Sequence, residues 1–265
     1  MFESALLGIL QGIIEWLPVS SEGFVALARV HLFQSSLSVT DLVGYALFLH
    51  MGTFLAALIH FRRRVLELLK ALFRYKNAEQ EDRSILRFLI LSSAVSGVFG
   101  FLLLWALEGI EQQISLAGKG ATLLIGLLLL LTALIQFGKS SASEQRTASQ
   151  LNLSDSLILG AAQGLAILPG ISRSGFTISS LLLRGIQETH ALVLSFLMSL
   201  PAVLGANILL NLERFALSLE NFIGLAFSFL FGLLSIRLLL TIASKLDFSW
   251  FALVFGLLTI AAALI

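Results

Sequence analysis

Apolar runs of about 20 residues, separated by short polar breaks, dominate this chain. Six of them, at 41–61, 85–107, 120–138, 190–210, 221–241 and 248–265, carry few or no charges. That is the length needed to cross a hydrocarbon core of roughly 30 Å. The pattern predicts an all-α polytopic membrane protein with six spanning helices. Four further apolar pieces, at 2–17, 24–33, 156–168 and 176–183, are too short or too interrupted to span. They form two pairs, each broken by a turn rich in Pro, Gly and Ser, and each pair predicts a re-entrant helix–turn–helix.

The two pairs are related. At a constant offset of 152 residues, Gly8, Gln11, Gly12, Ser20, Gly23 and Phe24 fall on Gly160, Gln163, Gly164, Ser172, Gly175 and Phe176, whereas Pro18 and Pro169 miss by one. This predicts a single membrane domain, residues 1–265, of two duplicated halves, 1–138 and 139–265, with re-entrant loops near 15–24 and 168–177. Three spans separate the pairs, and an odd number of crossings inverts the second copy. Broken helices at matching places in inverted halves point to a binding site near the bilayer midplane. Irregular backbone at that depth must lie inside protein or line a wet cavity, so the two turns are expected to meet.

Composition agrees, with 57% hydrophobic and 12% charged residues against about 25% charged in an ordinary soluble domain. The net charge of +1 points to no nucleic-acid partner. Basic residues concentrate between Arg62 and Arg87, and this loop, a second polar stretch at 139–155 and the loop near Lys245 are expected on the cytoplasmic side. Both termini then face outward, in a multi-pass protein of the cell (plasma) membrane. The chain has no cysteine, which excludes disulfides and thiolate chemistry. Residues 1–17 lack a basic region and a cleavage site, and are expected to be retained rather than removed as a signal peptide.

Chemistry concentrates in the turns. The first contains Gln11 and Glu15, which share a helical face, followed by Pro18, Ser20, Ser21, Glu22 and Gly23. The second reads Pro169-Gly170-Ile171-Ser172-Arg173-Ser174-Gly175-Phe176-Thr177. A guanidinium, hydroxyls and glycines before a helix start make an anion cradle: the planar fork of arginine matches phosphate oxygens, and the helix offers its positive end. Plainer roles stand beside these. Glu15 and Arg173 could form a structural ion pair; Ser20, Ser21, Ser172 and Ser174 could be helix caps or interhelical glue. Glu22 could be an interfacial carboxylate, and His50, in the middle of a span, a satisfied core histidine. The residues alone leave open a transporter of a lipid phosphate, which would also use inverted broken helices. A structural or assembly protein would not account for two complementary polar loops.

The motif from Gln11 to Glu15, followed by Leu-Pro-Val-Ser-Ser, together with the complete Pro-Gly-x-Ser-Arg-Ser-x-x-Thr motif from Pro169 to Thr177, resembles the undecaprenyl-diphosphate phosphatase family, the bacitracin-resistance proteins. The resemblance extends over essentially the whole chain. It implies an enzyme that removes the terminal phosphate of a polyprenyl diphosphate lipid to regenerate the monophosphate carrier for envelope glycan synthesis. By that resemblance, Glu15 and Gln11 hold a divalent cation, Mg2+ or Ca2+, or position water, and Arg173 and Ser172 bind the diphosphate. Ser20, Gly170 and Ser174 join them in substrate binding, Thr177 supports the loop, and Ser21 matches a serine discussed as a nucleophile. A homodimer is left open. The chain departs from the family pattern at Gln11, where many members have glutamate, and at Phe24, where the family often has histidine. Glu22 or His50 is then expected to take over proton transfer.

Overall fold

The computed structural model describes residues 1–34, 37–113, 119–138, 146–211, 218–243 and 249–264. Among these residues the chain is helical apart from turns and one isolated backbone bridge. In chain order the helices are α1 (Phe2–Ile14), α2 (Ser21–Leu32), α3 (Val39–His60), α4 (Arg62–Phe73), α5 (Gln80–Gln113), α6 (Lys119–Phe137), α7 (Leu153–Leu165), α8 (Arg173–Leu183), α9 (Glu188–Leu210), α10 (Leu219–Ala243) and α11 (Ser249–Leu264).

Five of these, α3, α5, α6, α9 and α10, are long and apolar enough to cross a membrane, and they coincide with five of the six expected spans. The sixth expected span corresponds to α11, which has 16 residues and so a length of about 24 Å, short of the hydrocarbon thickness. Phe248 and Ile265, the ends expected for it, lie outside the described residues. Large apolar side chains such as Phe101, Trp105, Leu134 and Leu258 face outward. In water that would be a liability, but it is the surface that lipid requires.

The four short helices α1, α2, α7 and α8 pack among the long ones, and the first helix of each pair runs along a long helix distant from it in sequence. α1 lies along α10, and α7 lies along α5. Both approaches depend on small residues: a Cβ at Gly8 would sit 2.3 Å from Gly224 O, and one at Gly160 would sit 2.7 Å from Ser92 O. These glycines are repeat equivalents and let helix backbones close on one another without side chains between them. The main apolar core gathers around Trp16, Phe88, Leu194, Phe196 and Met198. Trp16 also donates its indole N–H to Gly232 O at 3.0 Å, which ties the first turn to α10.

The base of the second helix pair is closed electrostatically. Asp155, fully buried at the start of α7, accepts from Arg146 Nη2 at 2.7 Å and Arg184 Nε at 2.8 Å. Burial alone would raise its pKa, but hydrogen bonds from both arginines and from the Asn152 backbone hold the carboxyl below its usual range. The repeat-equivalent acid in α1, Glu3, likewise accepts from an arginine, Arg29, at 3.2 Å.

Candidate active site

The same capping device begins both inner helices. Ser20 and Ser172 adopt extended backbone conformations, φ −74° with ψ 101° and φ −74° with ψ 111°, and each accepts the N–H of the glycine three residues on. Those bonds, Gly23 N–H to Ser20 Oγ and Gly175 N–H to Ser172 Oγ, are both 3.1 Å long, the standard economy for the orphan donors of a helix start.

The two turns touch. Gly170, with φ +111°, a conformation that favours glycine, donates its N–H to Ser20 Oγ at 2.9 Å. Ser174 Oγ donates to Leu17 O at 3.1 Å, and Gln136 of α6 donates its amide N–H to Pro18 O. Thr132, one turn before Gln136, receives the Ser172 N–H at 3.1 Å and donates to Gly170 O at 3.0 Å. The N–H groups of Gly170 and Gly175 are both taken by serine hydroxyls, Ser20 and Ser172.

At this junction Glu15 becomes the hub of a buried cluster. One carboxylate oxygen, Oε1, is paired with Arg173 Nη2. The other, Oε2, accepts from Ser21 Oγ at 2.7 Å and Gln11 Nε2 at 2.9 Å, and lies 2.9 Å from His50 Nε2. His50 Nε2 is also 3.3 Å from Glu22 Oε1 and 3.5 Å from Ser21 Oγ. Its other ring nitrogen, Nδ1, is 2.7 Å from Ala46 O. A carbonyl only accepts, so Nδ1 carries hydrogen. Any further proton at Nε2 is then shared between the imidazole and two carboxylates, the arrangement for relaying a proton.

Arg173, the first residue of α8, has a side chain 12% exposed. Nη1 donates to Ser195 O at 3.4 Å, and the guanidinium lies 5.6 Å from the Phe196 ring centroid. Thr177 Oγ1 donates to Arg173 O at 2.8 Å and sits 2.6 Å from Ser195 Oγ, which supports the loop from below. Ser172 Oγ accepts from Gly175 N–H and lies 3.5 Å from Ser174 Oγ; because Ser174 gives its own hydrogen to Leu17 O, Ser172 is the donor of that long pair.

The structure thus brings together Gln11, Glu15, Ser21, Glu22, His50 and Arg173, and Ser174 lines a small gap with Glu15, Ser21, Glu22 and Arg173. Ser20, Gly170, Ser172 and Thr177 make the bonds that hold the turns. Thr132, Gln136 and Ser195 were not anticipated; polar side chains within otherwise apolar spans were the available signal. A cavity of about 160 Å3 adjoins the cluster, lined by Glu22, His50 and Arg173 and by apolar residues of α5 and α9. Two of its lining residues, Phe101 of α5 and Leu209 of α9, are also exposed on the outer surface.

The family model described as bacitracin resistance protein BacA matches residues 4–261. The chain belongs to that family. Among its relatives, the undecaprenyl-diphosphatase of Methanococcoides burtonii is 41% identical over 97% of this chain and 96% of that protein. That of Methanothrix thermoacetophila is 38% identical over 98% and 95%, and that of the Christiangramia forsetii strain is 34% identical over 95% and 93%. Within this BacA-family chain, Phe24 points away from the cluster: its ring stacks on Phe255 of α11, with centroids 4.2 Å apart. The residue in contact with Glu15 and Glu22 is His50.

Among the described residues no three His, Asp or Glu side chains form a cage for a metal ion. Mg2+ does not need one, since it is commonly held by one or two carboxylates together with substrate phosphates. Gln11 Oε1, a buried oxygen without a hydrogen-bond partner, would supply one ligand, and the Glu15 carboxylate a second by exchanging one of its present donors for the ion.

Proposed function

We propose that this membrane enzyme hydrolyses an undecaprenyl-type polyprenyl diphosphate to the monophosphate carrier lipid and inorganic phosphate. The observation that carries the reading is the meeting of Arg173 and Glu15 from two different turns, beside a largely apolar cavity. Arg173 and the hydroxyl of Ser172, which exchanges its long bond to Ser174 for one to a phosphate oxygen, bind the terminal phosphate, and the prenyl chain extends into the apolar cavity beside α5 and α9.

Ser21 Oγ, hydrogen-bonded to Glu15 Oε2, is the oxygen nucleophile. Its attack on the terminal phosphorus forms a Ser21 O–P bond as the bridging P–O bond breaks, and the prenyl monophosphate departs. The Ser21 proton passes to the Glu15–His50–Glu22 cluster and from there to the departing prenyl monophosphate. Water then attacks the phosphoserine, returns a proton to Ser21 and releases phosphate. A divalent cation held by Glu15 and Gln11, when bound, supplies charge neutralisation on the diphosphate.

The reading includes two inverted halves, with α1–α2 and α7–α8 re-entrant from opposite sides and α11 as a sixth, short span in the plasma membrane. The matching serine caps and the packing of α1 along α10 and of α7 along α5 support it. A transporter shares the inverted architecture, but the relatives carry the name of a diphosphatase. Purified protein should release phosphate from C55 diphosphate, and less so with chelator. Translocation of the lipid without phosphate release would overturn the assignment.

A further inference from the structure

α4 is a basic amphipathic helix left without a protein partner on most of its circumference. Leu68 and Ala71 are buried against the main core. Around the helix from them, Leu66, Leu69 and Phe73 recur at spacings of three and four and are 54%, 47% and 86% exposed. Arg63, Lys70 and Arg74, spaced by seven and four, run along the edge of this apolar stripe, and all three are exposed.

The neighbouring acids do not neutralise that edge. Arg64 alone collects them, with Asp82 at 2.9 Å, Glu67 at 3.3 Å and Glu81 at 3.4 Å, and so fastens α4 to the start of α5. Among the described residues Arg62, Arg63, Lys70 and Arg74 have no acidic partner. With 12 residues the helix is about 18 Å long and cannot span. It begins just after the membrane helix α3 ends at His60, so it lies at the bilayer boundary.

An outward apolar stripe would be unfavourable in water, and unpaired cations would be unfavourable in hydrocarbon. Both are satisfied at one depth, the headgroup region, where the stripe dips into the acyl boundary and the cations stay among phosphates. We propose that α4 is an interfacial helix that recruits anionic phospholipid headgroups to this face of the enzyme. Charge complementarity selects anionic over zwitterionic lipid, because each basic residue near such a surface adds to the attraction.

The absence of cysteine makes single-site labelling clean. The full-length protein carries a fluorophore at Leu69→Cys on α4 or, as a control, at Leu258→Cys on α11, which is lipid-facing in composition and has no basic edge. Each is reconstituted in phosphatidylcholine bilayers with brominated phosphatidylglycerol as a minor component. Quenching at Leu69→Cys should exceed the share of brominated lipid severalfold, while quenching at Leu258→Cys follows that share. Adding Arg63→Gln, Lys70→Gln and Arg74→Gln should remove the preference, so that quenching at Leu69→Cys also follows that share. Equal quenching at both positions, or a preference unchanged in the triple variant, would overturn the proposal.

Discussion

Ser20 and Ser172 cap their helices with the same geometry, yet only Ser20 also receives a hydrogen bond from the opposite turn, from the Gly170 N–H at 2.9 Å. The repeat equivalent of Gly170 is Pro18, which has no N–H to give to Ser172. One proline therefore breaks the symmetry: Ser20 receives a second N–H, from the opposite turn, and Ser172 does not. Ser20→Ala strands two buried N–H groups and should destabilise the protein by about 2–4 kcal/mol. Ser172→Ala should cost only about 1 kcal/mol of stability and still lower turnover at least tenfold. Thermal unfolding in detergent, read beside phosphate release, tests the contrast; equal effects on both readouts would remove it.

Arg173 can be probed by separating charge from shape. Arg173→Lys keeps the charge and loses the planar fork, and should reduce hydrolysis by an order of magnitude or more, about 1.4 kcal/mol, in a protein that still folds. Arg173→Ala leaves Glu15 buried beside an empty place and should also lose stability, by about 3–5 kcal/mol. A fully active Lys variant would mean that the pair is structural and that phosphate is held elsewhere.

Proton transfer is expected to run through His50 rather than position 24. His50→Gln should lower kcat by about 100-fold or more and flatten the pH profile. Phe24→His should give no gain, because that side chain lies on Phe255 and not on Glu15. A rise in turnover from Phe24→His would show that the α2 helix rotates its far face into the site during the reaction.

If Ser21 is the nucleophile, acid quenching during turnover of terminally labelled diphosphate should trap label on the protein, and Ser21→Ala should abolish the trapped label. Hydrolysis by Ser21→Ala at an undiminished rate would assign the attack to water.

Asp155 should make the second helix pair acid-sensitive. Its folded pKa lies below the unfolded value of 3.8, so the unfolded chain binds the proton more readily and stability falls as pH drops. The contribution is fully present above about pH 5, and is lost as pH falls through the lowered folded value. Asp155→Asn should lower stability at neutral pH by about 2 kcal/mol and weaken the acid dependence of unfolding. An unchanged acid transition would assign that dependence to other carboxylates.

Cysteines introduced at Gln34 and Gln150 test the inverted arrangement, because they flank the bases of the two helix pairs. Labelling in intact cells by an impermeant reagent should differ between them, with Gln34→Cys reactive and Gln150→Cys protected. Equal reactivity would reject opposite entry of the two pairs.

The sequence by itself determined the membrane class, the five long spans and the two interrupted helix pairs, because burial in hydrocarbon forces long apolar runs and leaves turn residues as visible breaks. The repeat made Gly8 and Gly160, and Ser20 and Ser172, recognisable as counterparts. Glu15 and Arg173 were legible as candidates to meet for a related reason: ionisable groups at membrane depth are too costly to keep without a partner, and the two do pair. The fate of individual hydrogen bonds was not legible. That Gly170 gives its N–H to Ser20, that Thr132 and Gln136 reach the turns from α6, and that Phe24 turns toward α11 depend on residues far apart in sequence meeting within about 3 Å. Side-chain direction from a short helix is set by its packing angle against neighbours, and no local pattern encodes that angle. His50 shows the division most clearly: its position in an apolar span was plain from the sequence, but only the packing of α3 against both turns put its Nε2 between Glu15 and Glu22.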